Sequence, residues 1–242
     1  MSDLQVHAFA PAWGLPSSGP FALKLMAWLS HAGIAWRPVV ENRADRGPLG
    51  KSPWIEQGGL RMGDSDRIIA HLAARHGLPD PMALPDPAAV TRDALKTAFE
   101  ERFHQILEWE LFVHPAGFAG LRALLKKLAP SALAPLIGWQ MRRHFTRQLH
   151  ARGIARLAPP EIAATGRRQI DGLEMLLADG AGWLHGTAPG LTDFAVWGQV
   201  APLLHWPMAT PVAEHAKTLR HLTDWSARLQ KAAFGSDQAH AA

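Results

Sequence analysis

Gly50-Lys51-Ser52-Pro53-Trp54-Ile55-Glu56, followed by Met62-Gly63-Asp64-Ser65-Asp66-Arg67-Ile68-Ile69, decides how this chain is read. A proline leads into a short strand of aromatic and β-branched residues. The turn Gln57-Gly58-Gly59 returns the chain into a second short strand. Proline suits the first residue of a strand, where its missing N–H is not needed, and an X-Pro bond can be cis. Asp64 or Ser65 then serves as N-cap for the apolar-periodic run Ile68, Ile69, Leu72 and Ala73. Free backbone groups, a carboxylate and a hydroxyl thus meet at a helix N-terminus. Such a place can hold a small peptide-like ligand with ammonium and carboxylate ends.

Toward the N-terminus, Leu4 to Ala10 alternates like a strand and Pro11 to Ser18 is a Pro/Gly/Ser loop. Pro20 to Ala32 is helical, with Phe21, Leu25, Trp28 and Leu29 on one face and Gly33 as the C′ residue. Ala35 to Val40 reads as an edge strand, Glu41 to Lys51 as irregular, and Ser65 to His76 as the next helix. The order β-α-β-loop-β-β-α predicts a small α/β domain over residues 1–78. Residues 79–87 carry four prolines and read as a linker. Strand signals nearly vanish after it. Helices are predicted over Ala88–His114, Phe118–Lys127, Ala134–Ala155, Glu161–Ala178, Thr192–Leu204 and Ala213–Ala232. They form an all-α domain over residues 88–235, with a frayed tail at 236–242.

Composition removes several chemistries. With no cysteine, disulfides, thiolate nucleophiles and Cys-based zinc sites are out, and with no tyrosine there is no phenol donor. The spacing of His71 to His76 and of His144 to His150 does not give the one-face pair of a helical zinc site, so no metal is expected. The 242 residues carry a net charge of +4, and the basic groups at Lys126-Lys127, Arg142, Arg143, Arg147, Arg152 and Arg156 read as a solvated helix face, not a nucleic-acid surface. The start has neither a basic nor an apolar signal region. The longest near-apolar stretch, Leu128 to Trp139, is too short to span a bilayer. No membrane span is expected, and the default location is cytoplasmic.

An α/β domain, a linker and a helical bundle in this order resemble the glutathione transferase superfamily, whose first domain is thioredoxin-like. Lys51-Ser52-Pro53-Trp54 resembles that superfamily's strand with its cis-proline. Asp64-Ser65 resembles its acidic-Ser pair for the γ-glutamyl end of glutathione. Gly190-Leu191-Thr192-Asp193 resembles the capping element of its central helix, with Gly190 where Ser or Thr is usual and Asp193 capping buried amides. Gly19-Pro20-Phe21-Ala22-Leu23-Lys24-Leu25, Trp28-Leu29, Ala32-Gly33-Ile34 and Gly153-Ile154-Ala155-Arg156 resemble its failed-axon-connections (Fax) and metaxin-like branch.

The resemblance implies a cytoplasmic homodimer that uses glutathione as co-substrate against a small hydrophobic electrophile. Lys51, Ser52, Pro53, Trp54, Asp64 and Ser65 would hold glutathione, with Trp54 offering backbone groups and Lys51 meeting the glycyl carboxylate. A donor at the start of the first helix would lower the thiol pKa. Ser18 and Ser17 are both candidates, and backbone N–H alone remains a third. Trp13, Phe103, Trp109, Phe112 and His114 are expected around the electrophile. The competing reading is a non-catalytic binding module of the same fold. A GDS-type esterase built on Gly63-Asp64-Ser65 with Asp237 and His240 is disfavoured, because that fold needs a large parallel sheet and an oxyanion-hole Asn, and Asn42 is the only one in the chain.

Overall fold

The computed structural model describes residues 3–128, 132–179, 182–184 and 186–235. The frayed-tail expectation and the residues Asp237 and His240 lie outside the described residues.

Four strands, β1 (Gln5–Ala8), β2 (Arg37–Val40), β3 (Trp54–Gln57) and β4 (Leu60–Gly63), form one mixed sheet in the order β2-β1-β3-β4. β1 and β2 run parallel, joined by helix α1 (Pro20–His31), and β3 is antiparallel to both of its neighbours. Val6 and Ile55 are cross-strand partners and both are fully buried. Helix α2 (Ser65–Arg75) follows β4 directly, burying Ile68, Ile69, Leu72 and Ala73. Asn42 is structural: its Oδ1 accepts the Ala10 N–H at 3.0 Å. This is a thioredoxin-like domain, and the rest of the described chain is mostly helical.

The long helix expected over Ala88–His114 is built in pieces: α3 (Pro87–Thr97), a π-helical segment Ala98–Phe103, α4 (His104–Glu108) and a second π-helical segment Trp109–Val113. Asp86 caps α3, accepting the Ala89 N–H at 2.7 Å. Then come α5 (Pro115–Leu128), α6 (Ala134–Ala151), α7 (Pro159–Ala178) and α8 (Leu191–His205). α8 is almost wholly buried, and Asp193 does what its position promises. Its carboxylate accepts N–H groups from Gly190 (3.0 Å) and Leu184 (2.9 Å) and the indole N–H of Trp225 (3.1 Å). Gly198 lets α8 lie against α1, since a Cβ there would stand 2.4 Å from the Pro20 carbonyl oxygen.

The expected Ala213–Ala232 helix is two helices, α9 (Pro211–Ala216) and α10 (Arg220–Phe234). No Gly or Pro marks the break. Carboxylates from distant helices create both N-termini. Glu110 accepts the Val212 and Ala213 amides at 3.1 and 3.3 Å. Glu174 accepts those of His221 and Leu222 at 3.0 and 2.7 Å. Orphan amides of a first turn need such acceptors, and here they come from tertiary neighbours.

Four charges tie the sheet domain to the helices. Lys24 of α1 reaches Asp66 of α2 at 2.6 Å and Glu100 at 2.5 Å. Lys96 of α3 reaches the same Asp66 at 2.5 Å and Glu100 at 2.9 Å. The Lys24 side chain is only 2% exposed. Burial alone would lower the Lys96 pKa, but the Asp66 and Glu100 carboxylates overcome it and push it up to about 12. Burial acts the other way on Asp66, and there too the two lysines win, holding the carboxyl below its usual value. A pKa raised in the folded state gives stability that is complete below the unfolded value and is lost as pH rises through the folded one. Lys96→Met should therefore lower stability at neutral pH by about 3 kcal/mol, as when one partner of a buried pair is removed. Urea unfolding should show the variant and wild-type curves converging between pH 10.5 and about 12.

Candidate functional site

The strand register gathers the candidate residues. Trp54, at the start of β3, pairs with His7 near the end of β1 and with Gly63 at the end of β4. The loop into α1, the Ser52-Pro53 peptide and the start of α2 therefore leave the sheet at the same end of its strands. The Ser52-Pro53 bond is cis.

Asp64 is the N-cap of α2, its Oδ1 accepting the Arg67 N–H at 3.0 Å. Its φ of 76° is unusual for a residue with a side chain. Ser65 is the first helical residue and is 6% exposed. Asp66 beside it belongs to the buried charge cluster, which fixes where the helix N-terminus stands.

The two serines before α1 differ completely. Ser17 is 0% exposed. Its hydroxyl donates to the Phe9 carbonyl at 3.0 Å and accepts the Gly19 N–H at 3.1 Å. Its one proton is committed, so Ser17 is a loop clamp and not a thiolate donor. Ser18 is half-buried, its N–H donates to Ala10 O at 3.0 Å, and its hydroxyl has no partner among the described residues. Gly19 caps α1 without a side chain. Pro20 has no N–H, and the Ala22 and Leu23 amides already donate to the Gly19 carbonyl, which leaves the Phe21 N–H and the Ser18 hydroxyl at the helix start.

Around Pro53 the register shifts the emphasis by one position. Trp54 faces strand neighbours on both sides, so its backbone lies within the ladder. Its indole is 4% exposed, stacked on His7 at 3.5 Å and covered by the Arg61 guanidinium at 4.5 Å. Ser52 precedes the strand, and its Oγ is buried without a hydrogen-bond partner. An unpaired buried hydroxyl is costly and calls for an acceptor or donor from elsewhere. Lys51 is exposed on the same loop.

The aromatic residues expected around an electrophile divide. Phe103 (0% exposed) and Trp109 (4%) are buried in the core. Both lie in or beside π-helical segments, whose wider turn rotates the helix face away from what a regular period predicts. Phe112 stacks on Phe145 of α6 at 3.7 Å. His114 packs against Trp109, and burial lowers its pKa. Trp13 stands edge-on to Trp206 at 5.9 Å, in a turn with φ of 55°.

Sequence reasoning missed a polar group above the start of α1. His104 shares a hydrogen bond with buried Gln199 at 2.9 Å, packs on Phe21 and lies 3.4 Å from Glu108, which Arg152 meets at 3.5 Å. The i, i+4 spacing of His104 and Glu108 was a visible signal, as was a lone Lys24 inside the apolar run of α1.

Sheet order, cis-proline peptide and helical region together define the glutathione transferase fold. Residues 20–117 match the family described as the glutathione S-transferase N-terminal domain. An isoprene-epoxide–glutathione S-transferase of Rhodococcus sp. (strain AD45) is 30% identical over 113 residues, 45% of this chain and 44% of that protein. The chain thus matches less than half the length of this relative. A solved GST-like protein from Pseudomonas syringae superposes with TM-score 0.60 at 17% identity, covering 96% of this chain and 68% of the other. The beta-etherase LigF of Sphingobium sp. strain SYK-6 superposes with TM-score 0.59 at 13% identity, covering 94% of each chain. Residues 20–117 are thus similar to the glutathione S-transferase N-terminal domain, and the solved structures share the fold.

The positive φ at Asp64 separates its two roles. Asp64→Gly fits the backbone freely and should leave stability within a few tenths of a kcal/mol, roughly the deficit of a Gly cap. Asp64→Ala loses the cap and keeps the Cβ, and should destabilise by about 1 kcal/mol or more in thermal unfolding.

Proposed function

We propose that this protein is a glutathione-dependent transferase acting on a small apolar electrophile. The observation that carries the reading is that the unpartnered Ser18 hydroxyl, the buried unpaired Ser52 Oγ and the Asp64–Ser65 helix start belong to segments that leave the sheet at the same end of its strands. Each suits one part of glutathione. Amides and hydroxyl at the start of α2 suit the γ-glutamyl carboxylate, and the Asp64 carboxylate suits the ammonium. Ser52, in the bend before β3 and with its buried hydroxyl unpaired, suits a polar group of the cysteinyl part. Lys51 suits the glycyl carboxylate.

The chemistry then falls to α1. A thiol of pKa about 8.5 is mostly protonated at neutral pH. The partial positive charge of the α1 N-terminus and the Ser18 O–H both favour the thiolate over the thiol. The thiolate sulfur attacks the electrophilic carbon, and the leaving or ring-opened oxygen takes up a proton. The relative's name makes small alkene epoxides the first electrophiles to test. The homodimer and the cytoplasmic location belong to this proposal on the strength of the resemblance. So does the Fax and metaxin-like branch, which rests on the motifs in α1 and at Gly153–Arg156.

Calorimetric titration of glutathione should show binding that Ser65→Ala weakens about tenfold, or about 1.4 kcal/mol. No heat and no competition at millimolar glutathione would reject the reading and leave a fold without its thiol ligand. Ser18→Ala should raise the bound thiol's pKa by about 1–2 units, the worth of one hydrogen bond to a charged group. The pH–rate profile would move to the alkaline side, and kcat/KM at neutral pH would fall about tenfold or more. An unmoved profile would transfer activation to the backbone amides alone.

A further inference from the structure

Helices α5 and α6 form a hairpin, residues 115–151, whose charge is unlike the rest of the molecule. It holds six of the 25 Lys and Arg residues (Arg122, Lys126, Lys127, Arg142, Arg143 and Arg147) and none of the 21 Asp and Glu. No acidic residue occurs anywhere between Glu110 and Glu161. Soluble surfaces normally intersperse both signs. Arg152, just past the hairpin, pairs with Glu108 at 3.5 Å, but none of the six has a carboxylate partner among the described residues. With the whole chain at +4, everything outside the hairpin is slightly acidic.

The same hairpin exposes large apolar side chains where its two helices approach their connection. Leu128, Leu133, Leu136 and Trp139 are 42 to 56% exposed. Leu136, Trp139, Arg143 and Arg147 follow one another at spacings of three and four residues, so they line one face of α6. The Arg143 guanidinium lies over the Trp139 ring at 5.5 Å. An open depression on this outer face is lined by Trp139, Gln140, Arg143, His144, Arg147 and Gln148.

We propose that the α5–α6 hairpin docks the protein on the surface of an anionic phospholipid bilayer. Leucines and a tryptophan would enter the headgroup boundary, and the arginines and lysines would meet the lipid phosphates. Tryptophan favours that boundary because its ring is amphipathic. The charge pattern selects this occupant. A second copy docked face to face would set one acid-free cluster against another. A nucleic acid would engage the cations and leave three exposed leucines idle. Surface docking also agrees with the absence, among the described residues, of any helix long and apolar enough to cross a membrane. The inference is independent of the glutathione reading.

The purified full chain would be sedimented with phosphatidylglycerol–phosphatidylcholine vesicles and with pure phosphatidylcholine vesicles. Partition onto the anionic vesicles should be stronger by about tenfold or more and should fall as salt rises. The double variants Arg143→Glu/Arg147→Glu and Leu136→Ser/Trp139→Ser should each lose about tenfold in partition while keeping the wild-type circular dichroism spectrum. Equal partition onto both vesicle types would overturn the proposal, as would undiminished binding by the charge variant. Salt-sensitive binding to a DNA duplex without vesicle binding would assign the face to nucleic acid instead. A concentration-dependent dimer lost in Leu136→Ser/Trp139→Ser, again without vesicle binding, would assign it to a second copy.

Discussion

The square of Lys24, Asp66, Lys96 and Glu100 holds this architecture to its candidate site. Each lysine meets both carboxylates at 2.5 to 2.9 Å. Two charges of each sign, placed alternately, offset the desolvation that one isolated pair would suffer. The square joins α1, α2 and α3 with the first π-helical segment. Asp66 is the second residue of α2 and Lys24 the fifth of α1. The two helix starts that would receive glutathione are thus positioned by charges that also reach the helical region.

The helical region positions the rest by borrowing acceptors across the chain. Asp193, Glu110 and Glu174 each satisfy amides at a helix start, the last two from other helices. α8, capped in this way, lies against the first turn of α1 because Gly198 has no side chain to strike the Pro20 carbonyl. The loop into α1 is held at its outer end by the same region. Trp13 meets Trp206, and the Gly14 carbonyl accepts from Gln230 at 3.5 Å. The loop that carries Ser18 is therefore held from both sides, by Ala10 after β1 and by the helical region at Trp13 and Gly14.

With no tyrosine or cysteine in the chain, the donors at the start of α1 are the Ser18 hydroxyl and the backbone. Two regions of its surface differ in their physics. One end of the sheet collects directional hydrogen-bond groups, which suits a small zwitterionic ligand. The α5–α6 hairpin collects charge of one sign and exposed apolar area, which suits an extended surface and not a small molecule.

The Pro53 and Asp64–Ser65 motifs, the α/β then helical order and the Asp193 cap were all visible in the sequence. Each depends on local chemistry: proline at a strand start, an acidic cap before an apolar period, a carboxylate three residues into a helix. The same local logic could not separate Ser17 from Ser18, because which hydroxyl is spent on Phe9 depends on how the loop folds back on β1. It could not see the break before α10, which is made by Glu174 some distance along the chain. It misplaced Phe103 and Trp109, because π-helical turns change the period that assigns a residue to a face. It passed over Lys24, whose partners lie 42 and 76 residues away. What the sequence determined by itself was the set of elements and the residue types at their ends, since these follow from backbone dihedrals and nearby hydrogen bonds. Which of those groups remain free for a ligand was decided only in the tertiary structure, where distant carboxylates, carbonyls and neighbouring strands had already claimed the others.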